Sequence, residues 1–473
     1  MNVRVNLLAI FVLSICSTCA HAQFDTVINL PENPDSPNPS GFSGNSIGSD
    51  NGISSNTLLN VSDGGLIGVR FDAGAEDVPN TNIEVNISGG RVGYQFDAFN
   101  GSTVNISGGQ VGDRFNAFGG STINVSGGTF GNDFGAGFGS TVNISGGTFG
   151  RGFDARDGAV SISGGDFLLN GNTINDITSP FTLGFRDVFT GTLEDGSSFI
   201  FSTDVGDDLN GVNLIETSTP TLDPTPQIIN SASTLRSARA GETLTVQLGG
   251  ALGDNFTVVG ATLNVESGSV GSSVEVVNSE VNVSGGTVGS FLTLPQRSSF
   301  TAFSGSTINV SGGTVGSGFE AFSGSAVNIS GGAVGNSFDA NSGSTVNISG
   351  GSVGNAFDAN SGSTVNISGG DAGFDFNANS GSTVNISGGT VGVNFGANSG
   401  STVNISGGTV GNGFGAFGGS TVNISGGTIG QSFDARSGST VNISGGEFLL
   451  NGSTINDITS PLPLVMEMFL LEP

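Results

Sequence analysis

The side chains best suited to chemistry are carboxylates that recur at one position of a repeated sequence unit, directly after a phenylalanine. If the units stack, neighbouring carboxylates repel one another, and an extracellular Ca²⁺ ion with several oxygen ligands would relieve that repulsion. Asparagine or glycine replaces the acid in other units, so no continuous acidic column is predicted. The candidate calcium ligands at this position are Asp97, Asp154, Asp339, Asp358 and Asp434.

A second group of candidate calcium ligands lies between residues 204 and 213. Asp208 and Asn210 have the spacing of a calcium-binding loop and are followed by Gly211, but Gly206 stands where the first aspartate of such a loop belongs. Ca²⁺ is the one cofactor that the sequence suggests.

Paired carboxylates are also the catalytic groups of glycosidases. The chain has 39 acidic residues spread along its repeats, so close pairs arise by chance and no unit stands out as an active site. We therefore predict no catalytic residue and no enzymatic activity.

The composition excludes several other classes of site. Both cysteines and the only histidine lie within residues 1–22, and all 11 basic residues are arginine. Residues 23–473 therefore cannot form a disulfide, a thiolate or imidazole metal site, a serine–histidine–aspartate triad or a lysine Schiff base. A net charge of −28, without a basic patch, excludes nucleic acid as a partner.

Residues 1–22 have the organisation of an export signal. A positive residue precedes an apolar run over residues 7–15, and Ala20-His21-Ala22 is a small-residue cleavage site. Cleavage near Ala22 would make the protein secreted or place it at the cell surface. A lipoprotein signal ending at Cys16 or Cys19 is the alternative. The apolar run is too short to span a bilayer, and no transmembrane span is predicted in the mature chain.

The acidic positions belong to a unit of 19 residues that predicts the architecture. The sequence of residues 101–109, Gly-Ser-Thr-Val-Asn-Ile-Ser-Gly-Gly, returns nearly unchanged along the chain, as is typical of solenoids. Its alternation places Val104 and Ile106 on one face of a strand and Thr103 and Asn105 on the other. We predict an all-β, right-handed parallel β-solenoid (a β-helix) in which each 19-residue unit is one turn, or rung.

A phenylalanine column is predicted to form the centre of this solenoid, because phenylalanine recurs at the same position of the unit. The adjacent asparagine stripe is predicted to face outward, so its substitution should be much milder. The predicted core residues are Phe96, Phe115, Phe134, Phe153, Phe338, Phe357, Phe376, Phe395, Phe414 and Phe433.

The repeats fall into two stacks that end with nearly the same sequence, which indicates that a whole module was duplicated. The segment between them contains a hairpin pattern with an Asp195-Gly196 turn and then several prolines. The apolar C-terminal tail differs in composition from the rest, and we hypothesise that the second module is truncated. The predicted divisions are 1–22, an export signal; 23–58, a low-complexity linker or cap; 59–181, the first stack; 182–230, a β-hairpin segment and proline-rich linker; 231–462, the second stack; and 463–473, the tail.

The repeated Ser-Thr-Val-Asn-Ile-Ser-Gly-Gly sequence, followed by Gly-Xaa-Xaa-Phe-Asp-Ala, resembles secreted bacterial parallel β-helix repeat proteins. This broad class includes autotransporter passengers, adhesins and pectin-lyase-like proteins. The resemblance implies a structural or adhesive role at the cell surface or in the extracellular matrix, with extracellular polysaccharide or other cell-surface components as partners. The alternatives are a β-helix protein that binds or degrades polysaccharide, and a surface that orders ice or mineral.

Overall fold

The computed structural model describes residues 24–32, 44–76, 80–220, 226–289, 300–444, 449–450 and 453–454. Each rung has a long strand over Thr-Val-Asn-Ile, a short second strand after the Gly-Gly pair, and a third strand at Phe-Asp-Ala. Strands of successive rungs pair in parallel and in register, so that Asn105 pairs with Asn86 and Phe115 with Phe96. The predicted parallel β-solenoid is confirmed. No helix in these ranges is long and apolar enough to cross a membrane.

The first stack is built around eight long strands, some of which continue into the second strand of their rung. The long strands are Thr26–Leu30, Thr57–Val61, Ile83–Ile87, Ser102–Ile106, Thr122–Phe130, Thr141–Thr148, Ala159–Leu169 and Asp208–Glu216. The separate second strands are Ser46–Ile47, Leu66–Ile67, Arg91–Val92 and Gln110–Val111. The third strands are Asn51–Ile53, Phe71–Ala73, Phe96–Ala98, Phe115–Ala117, Gly135–Ala136 and Asp154–Ala155.

The second stack repeats this arrangement around twelve long strands. These are Gln227–Ile229, Thr243–Val246, Thr262–Val265, Glu280–Val283, Thr307–Val310, Ala326–Val334, Thr345–Val353, Thr364–Ala372, Thr383–Ile386, Thr402–Val410, Thr421–Ile429 and Thr440–Ile443. The separate second strands are Ala251–Leu252, Ser269–Val270, Thr287–Val288, Thr314–Val315 and Thr390–Val391. The third strands are Ser237–Ala238, Thr257–Val259, Val274–Val277, Phe300–Ala302, Phe319–Ala321, Phe338–Ala340, Phe357–Ala359, Asn377–Ala378, Gly396–Ala397, Gly415–Ala416 and Asp434–Ala435.

The remaining elements lie at the ends of the stacks. After the strand Ala159–Leu169 come Asn172–Thr173, Phe181–Thr182, the antiparallel hairpin Val188–Leu193 and Ser198–Ser202, and a short 3₁₀ turn at Thr203–Val205. Beyond the second stack, Leu449–Leu450 and Ser453–Thr454 form a small antiparallel pair.

The structure corrects two of the predicted divisions. Part of the segment 23–58, which we predicted to be a linker or cap, is solenoid, because Thr26–Leu30 pairs in register with Thr57–Val61. Part of the segment 182–230 is also solenoid. Its strand Asp208–Glu216 pairs in parallel with the preceding rung. These two β segments contain few prolines and keep the alternation of apolar and polar residues seen in the repeats, although they have lost the repeated sequence itself. The tail 463–473 and residues 1–22 lie outside the described residues.

The core is a set of side-chain columns, because residues at the same position of successive rungs stack. Nine of the ten predicted phenylalanines are buried and Phe433 is partly buried. Ring centroids of neighbouring phenylalanines lie 4.5 to 4.7 Å apart between Phe319 and Phe376. The Gly-Gly turn lets the rungs approach this closely: a Cβ atom at Gly369 would lie 2.4 Å from the carbonyl oxygen of Ser349. The following Gly370 has a φ of +73°, which favours glycine.

The outward asparagines form a hydrogen-bonded ladder that alternation alone does not predict. The side-chain amide of Asn385 donates to the Oδ1 of Asn366 at 2.8 Å and accepts from Asn404 at 2.8 Å. This Asn ladder continues without interruption from Asn264 to Asn442 in the second stack. The asparagine side chains within the stack are half-buried. On folding, each amide therefore replaces hydrogen bonds to water by hydrogen bonds to the amides of neighbouring rungs.

Candidate functional site

The two stacks pack against each other. Within the described residues, an apolar cluster, a partly buried arginine and two buried acids lie at or near this contact. Val188 and Ile200, from the hairpin of the first stack, form an apolar cluster with Val259, Val277 and Phe303 of the second. The last three residues occupy equivalent positions in consecutive rungs, at the end of the third strand or directly after it. The stacks are therefore joined through side chains as well as through the chain.

Hydrogen bonds align the two stacks along this contact. The Thr257 hydroxyl donates to the carbonyl of Ser198 at 3.0 Å, and the backbone N–H of Ser198 donates to the Ser237 hydroxyl at 2.9 Å. Further along, the Asn255 amide donates to the carbonyl of Phe130 at 2.6 Å. These groups are buried, so breaking the contact would leave polar groups without partners.

Arg151 of the first stack reaches into an acidic column of the second stack. Its guanidinium lies 2.7 Å from a carboxylate oxygen of Glu320 and 3.9 Å from one of Glu275, and it donates to the Thr301 hydroxyl. Burial raises the pKa of Glu275 to about 8 in spite of Arg151, with smaller contributions from Asp207 and Glu320. At neutral pH, Glu320 is therefore the main charge partner of Arg151.

Asp207 is the second buried acid at this contact. Its two carboxylate oxygens accept the backbone N–H groups of Phe153 and Ser202, each at 2.8 Å. Burial outweighs these hydrogen bonds and raises the pKa of Asp207 to about 7. Two acids with raised pKa values are typical of active sites. Here, Asp207 and Glu275 are only 3% and 6% exposed. Asp207 accepts backbone N–H groups and Glu275 lies near Arg151, which indicates a structural role for both acids.

The predicted calcium ligands are dispersed along both stacks. In the first stack, Asp97 accepts from Gln95 and from Asn116 of the next rung, at 2.9 and 2.7 Å. Asp154 faces Arg156, whose side-chain hydrogen bonds lower the pKa of Asp154. Asp208 also faces Arg156, at 3.4 Å.

In the second stack, Asp339 and Asp358 lie side by side on adjacent rungs, next to Glu320. Burial, and then the charges of Asp358 and Glu320, raise the pKa of Asp339 to about 6. Asp358 accepts from Asn377 at 2.9 Å, and Asp434 pairs with Arg436 at 2.8 Å. Across the described residues, no three acidic side chains come close enough together to hold a metal ion.

The predicted calcium loop is a strand in the structure. Asp208 and Asn210 lie on Asp208–Glu216, where the backbone is extended and pairs with the neighbouring rung. The Asn210 side-chain oxygen accepts from the Thr182 hydroxyl at 3.2 Å. An extended strand points alternate side chains the same way but does not curl its oxygens around a cation, as a calcium loop does.

A cleft of about 820 Å³ opens between the flank of the first stack and the first rungs of the second. Its floor is the outward column of the second strands, with Leu66, Arg91, Gln110 and Thr129 in register on four consecutive rungs. Its opposite wall consists of residues 233–236 and 253–255 of the second stack. The volume lies within the range of small-molecule and oligosaccharide-sized pockets in proteins.

This cleft carries both charges and apolar surface. Arg91 has no ion-pair partner within the described residues, whereas Asp63 and Asp254 are exposed along the rims. Leu66 and Leu235 are 44% and 37% exposed. Arg236 closes the base by donating to the carbonyl of Gly128. In the sequence, Arg91 and Arg151 stand out only as residues that depart from the repeat. Their roles depend on the packing of one stack against the other.

No family model matches the chain, and no curated protein is significantly similar to it. Among solved structures, one similar chain is the TibC-catalysed, hyper-glycosylated fragment of TibA. The alignment covers 89% of this chain and 96% of that chain, with 14% sequence identity and a TM-score of 0.25. At this TM-score the similarity supports no functional inference.

Proposed function

We propose that the chain is an exported, non-enzymatic repeat protein with a structural or adhesive role at the cell surface or in the extracellular matrix. The observation that carries the proposal is the uninterrupted Asn ladder from Asn264 to Asn442, flanked by threonine at the same position of most rungs. The stacked rungs therefore present the same arrangement of asparagine and threonine side chains many times along one face. Many weak contacts to a repetitive partner then add up through multivalency.

The composition and the buried acids support a role without catalysis. Residues 23–473 contain no cysteine, histidine or lysine, which leaves carboxylates and hydroxyls as the available catalytic groups. The two acids with the most strongly raised pKa values, Asp207 and Glu275, are buried where the stacks pack together. Both side chains are almost completely buried, so a substrate could reach them only after this part of the structure had opened.

Export is supported by the organisation of residues 1–22 and by the composition of the rest. Residues 23–473 contain no cysteine and carry 10 arginines against 39 acids, a net charge of −29, so they suit an extracellular environment and do not depend on its redox state. The partner we propose is extracellular polysaccharide or another cell-surface component.

Attachment of coated particles tests the adhesive role directly. Beads carrying residues 23–473 are expected to attach to polysaccharide-coated or cell-coated surfaces more strongly than beads carrying the same protein after irreversible heat unfolding. Equal attachment of the two bead types would contradict an adhesive role of the folded solenoid.

Two further measurements test export and the absence of catalysis. Fractionation of the source cells with an antibody should find the protein outside the cytoplasm, and retention in the cytoplasm would contradict export. Incubation with a polysaccharide panel should release no new reducing ends. Release of reducing ends that is lost on unfolding would favour the alternative, a polysaccharide-degrading β-helix enzyme.

A further inference from the structure

We infer that the cleft between the two stacks is a binding site for a neutral oligosaccharide segment, lying along the column Leu66–Arg91–Gln110–Thr129. This inference rests on the proposed adhesive role and assigns it a specific site. The cleft exists only because the stacks pack side by side, so no single rung contains it. It also differs from the repeated polar face, since its residues differ from one rung to the next.

The length and shape of the floor fit an extended chain. Four consecutive rungs contribute one outward side chain each, and a rung spacing of about 4.8 Å gives a floor about 14 Å long. The cleft is partly open to solvent, and Leu66, Arg91 and Gln110 on its floor are exposed. A linear oligosaccharide can lie in such a groove while the rest of the polysaccharide continues beyond it.

The polar groups fit sugar hydroxyls, which donate and accept hydrogen bonds at the same atom. The guanidinium of Arg91 only donates, the exposed carboxylates of Asp63 and Asp254 only accept, and the side chain of Gln110 does both. A ligand with a single charge would be attracted by one of these groups and repelled by another. A row of hydroxyls can satisfy all of them.

The surroundings disfavour charged ligands. The chain carries a net charge of −28, so a polyanion approaches against the field of the whole protein. Arg91 forms no ion pair within the described residues, but the exposed acids Asp63 and Asp254 line the same cleft and offset its charge. Exposed Leu66 and Leu235 offer apolar contact to the C–H faces of sugar rings.

The test measures binding of neutral and acidic oligosaccharides to residues 23–473 by isothermal titration calorimetry. The probes are cellohexaose, xylohexaose and mannohexaose, with hexagalacturonate as the acidic counterpart. At least one neutral probe is expected to bind, and hexagalacturonate is expected to bind more weakly. No binding of any neutral probe, or tighter binding of hexagalacturonate, would overturn the inference.

Two variants locate the site. Gln110→Trp fills the middle of the cleft and should abolish binding of the neutral probe, and Arg91→Ala should weaken it by about tenfold through the loss of a charged donor. Thr390→Trp is the matched control, because Thr390 is the exposed outward residue at the same position of the rung in the second stack. It should bind as the wild type does.

Unchanged binding by both Gln110→Trp and Arg91→Ala would show that the sugar binds elsewhere. The bead assay separates this failure from failure of the proposed function. If Gln110→Trp beads attach as well as wild-type beads, the adhesive role is supported and the assignment of the cleft as the binding site is wrong. If wild-type beads do not attach, the adhesive role itself is wrong.

Discussion

Replacement of Arg151 by methionine tests whether the two stacks form one body. Methionine retains most of the aliphatic length of arginine but removes the charge and the donors. The change removes the arginine partner of Glu320 at 2.7 Å and the hydrogen bond that Arg151 donates to the Thr301 hydroxyl. We expect the stacks to separate more readily while each solenoid keeps its own phenylalanine and valine columns.

The expected cost follows from the burial of the pair. Removal of one partner from a fully buried ion pair costs about 3–5 kcal/mol. The side chains of Arg151 and Glu320 are 20% and 22% exposed, so water compensates in part and the lower end of that range applies. We expect Arg151→Met to lose about 3 kcal/mol of the free energy that holds the stacks together at pH 7.

The pH dependence has a definite sign. The pKa of Glu275 rises from 4.5 to about 8 in the folded protein, so the native state holds its proton more tightly. The stability from this group is fully present below pH 4.5 and is lost as pH rises through about 8. Asp207, with a pKa of about 7, acts in the same direction. Because Arg151 lowers the pKa of Glu275, its removal should be more costly at pH 9 than at pH 6.

Limited proteolysis and small-angle scattering, at pH 6 and pH 9, measure the separation. Arg151→Met should be cut faster between residues 217 and 230 and should have a larger radius of gyration at pH 9. The control is Arg156→Met: this arginine is 57% exposed and pairs with Asp154 at 2.6 Å, so its loss should leave the stability almost unchanged. If the two variants behave alike at both pH values, Arg151 does not hold the stacks together.

Four further substitutions test the columns of the second stack by chemical unfolding and hydrogen exchange. Phe376→Asp should unfold its neighbouring rungs, because it places an unpaired charge in the core; wild-type protection there would mean that the ring faces solvent. Asn385→Ala should lower the free energy of unfolding by about 1–2 kcal/mol, because two hydrogen bonds of the Asn ladder are lost. The control Val393→Ala, at an exposed position, should have almost no effect; equal effects of the two substitutions would show that the ladder does not stabilise the stack. Gly369→Ala should cost more than about 1 kcal/mol, because its Cβ would meet a carbonyl oxygen; a neutral result would mean that the rungs can move apart. Asp339→Asn should stabilise the stack at pH 8 but not at pH 4, since the raised pKa of this acid makes its burial costly once it ionises; a gain independent of pH would contradict this.

The fold could be predicted from the sequence because one pattern is repeated many times. Alternation within Thr-Val-Asn-Ile assigns the face of every residue, and the Gly-Gly pair marks the turn. The Asn ladder was only partly predictable. Alternation places Asn385 outward, but its hydrogen bonds to Asn366 and Asn404 require the exact register of neighbouring rungs, which repetition only suggests.

The contact between the stacks could not be predicted, because it depends on exceptions to the repeat. The residue after the inward-facing alanine or valine of the third strand is asparagine in several rungs, such as Asn360 and Asn379, but apolar at Val277, Phe303 and Phe322. In these consecutive rungs the apolar residues at this position pack against the hairpin. In the sequence these apolar residues look like ordinary variation between repeats, and nothing identifies Val188 and Ile200 of the hairpin as the residues that they contact.

The Asn ladder also gives the solenoid an electrical direction. Every amide donates toward the lower-numbered rung, from Asn442 to Asn423 and so on down to Asn264, which donates to Thr245. Side-chain dipoles aligned head to tail add, as peptide dipoles do in an α-helix. The column is therefore partially positive at its N-terminal end and partially negative at its C-terminal end. A further rung inserted anywhere in the column lengthens this dipole without disturbing its sense, provided that the new rung carries asparagine at the ladder position.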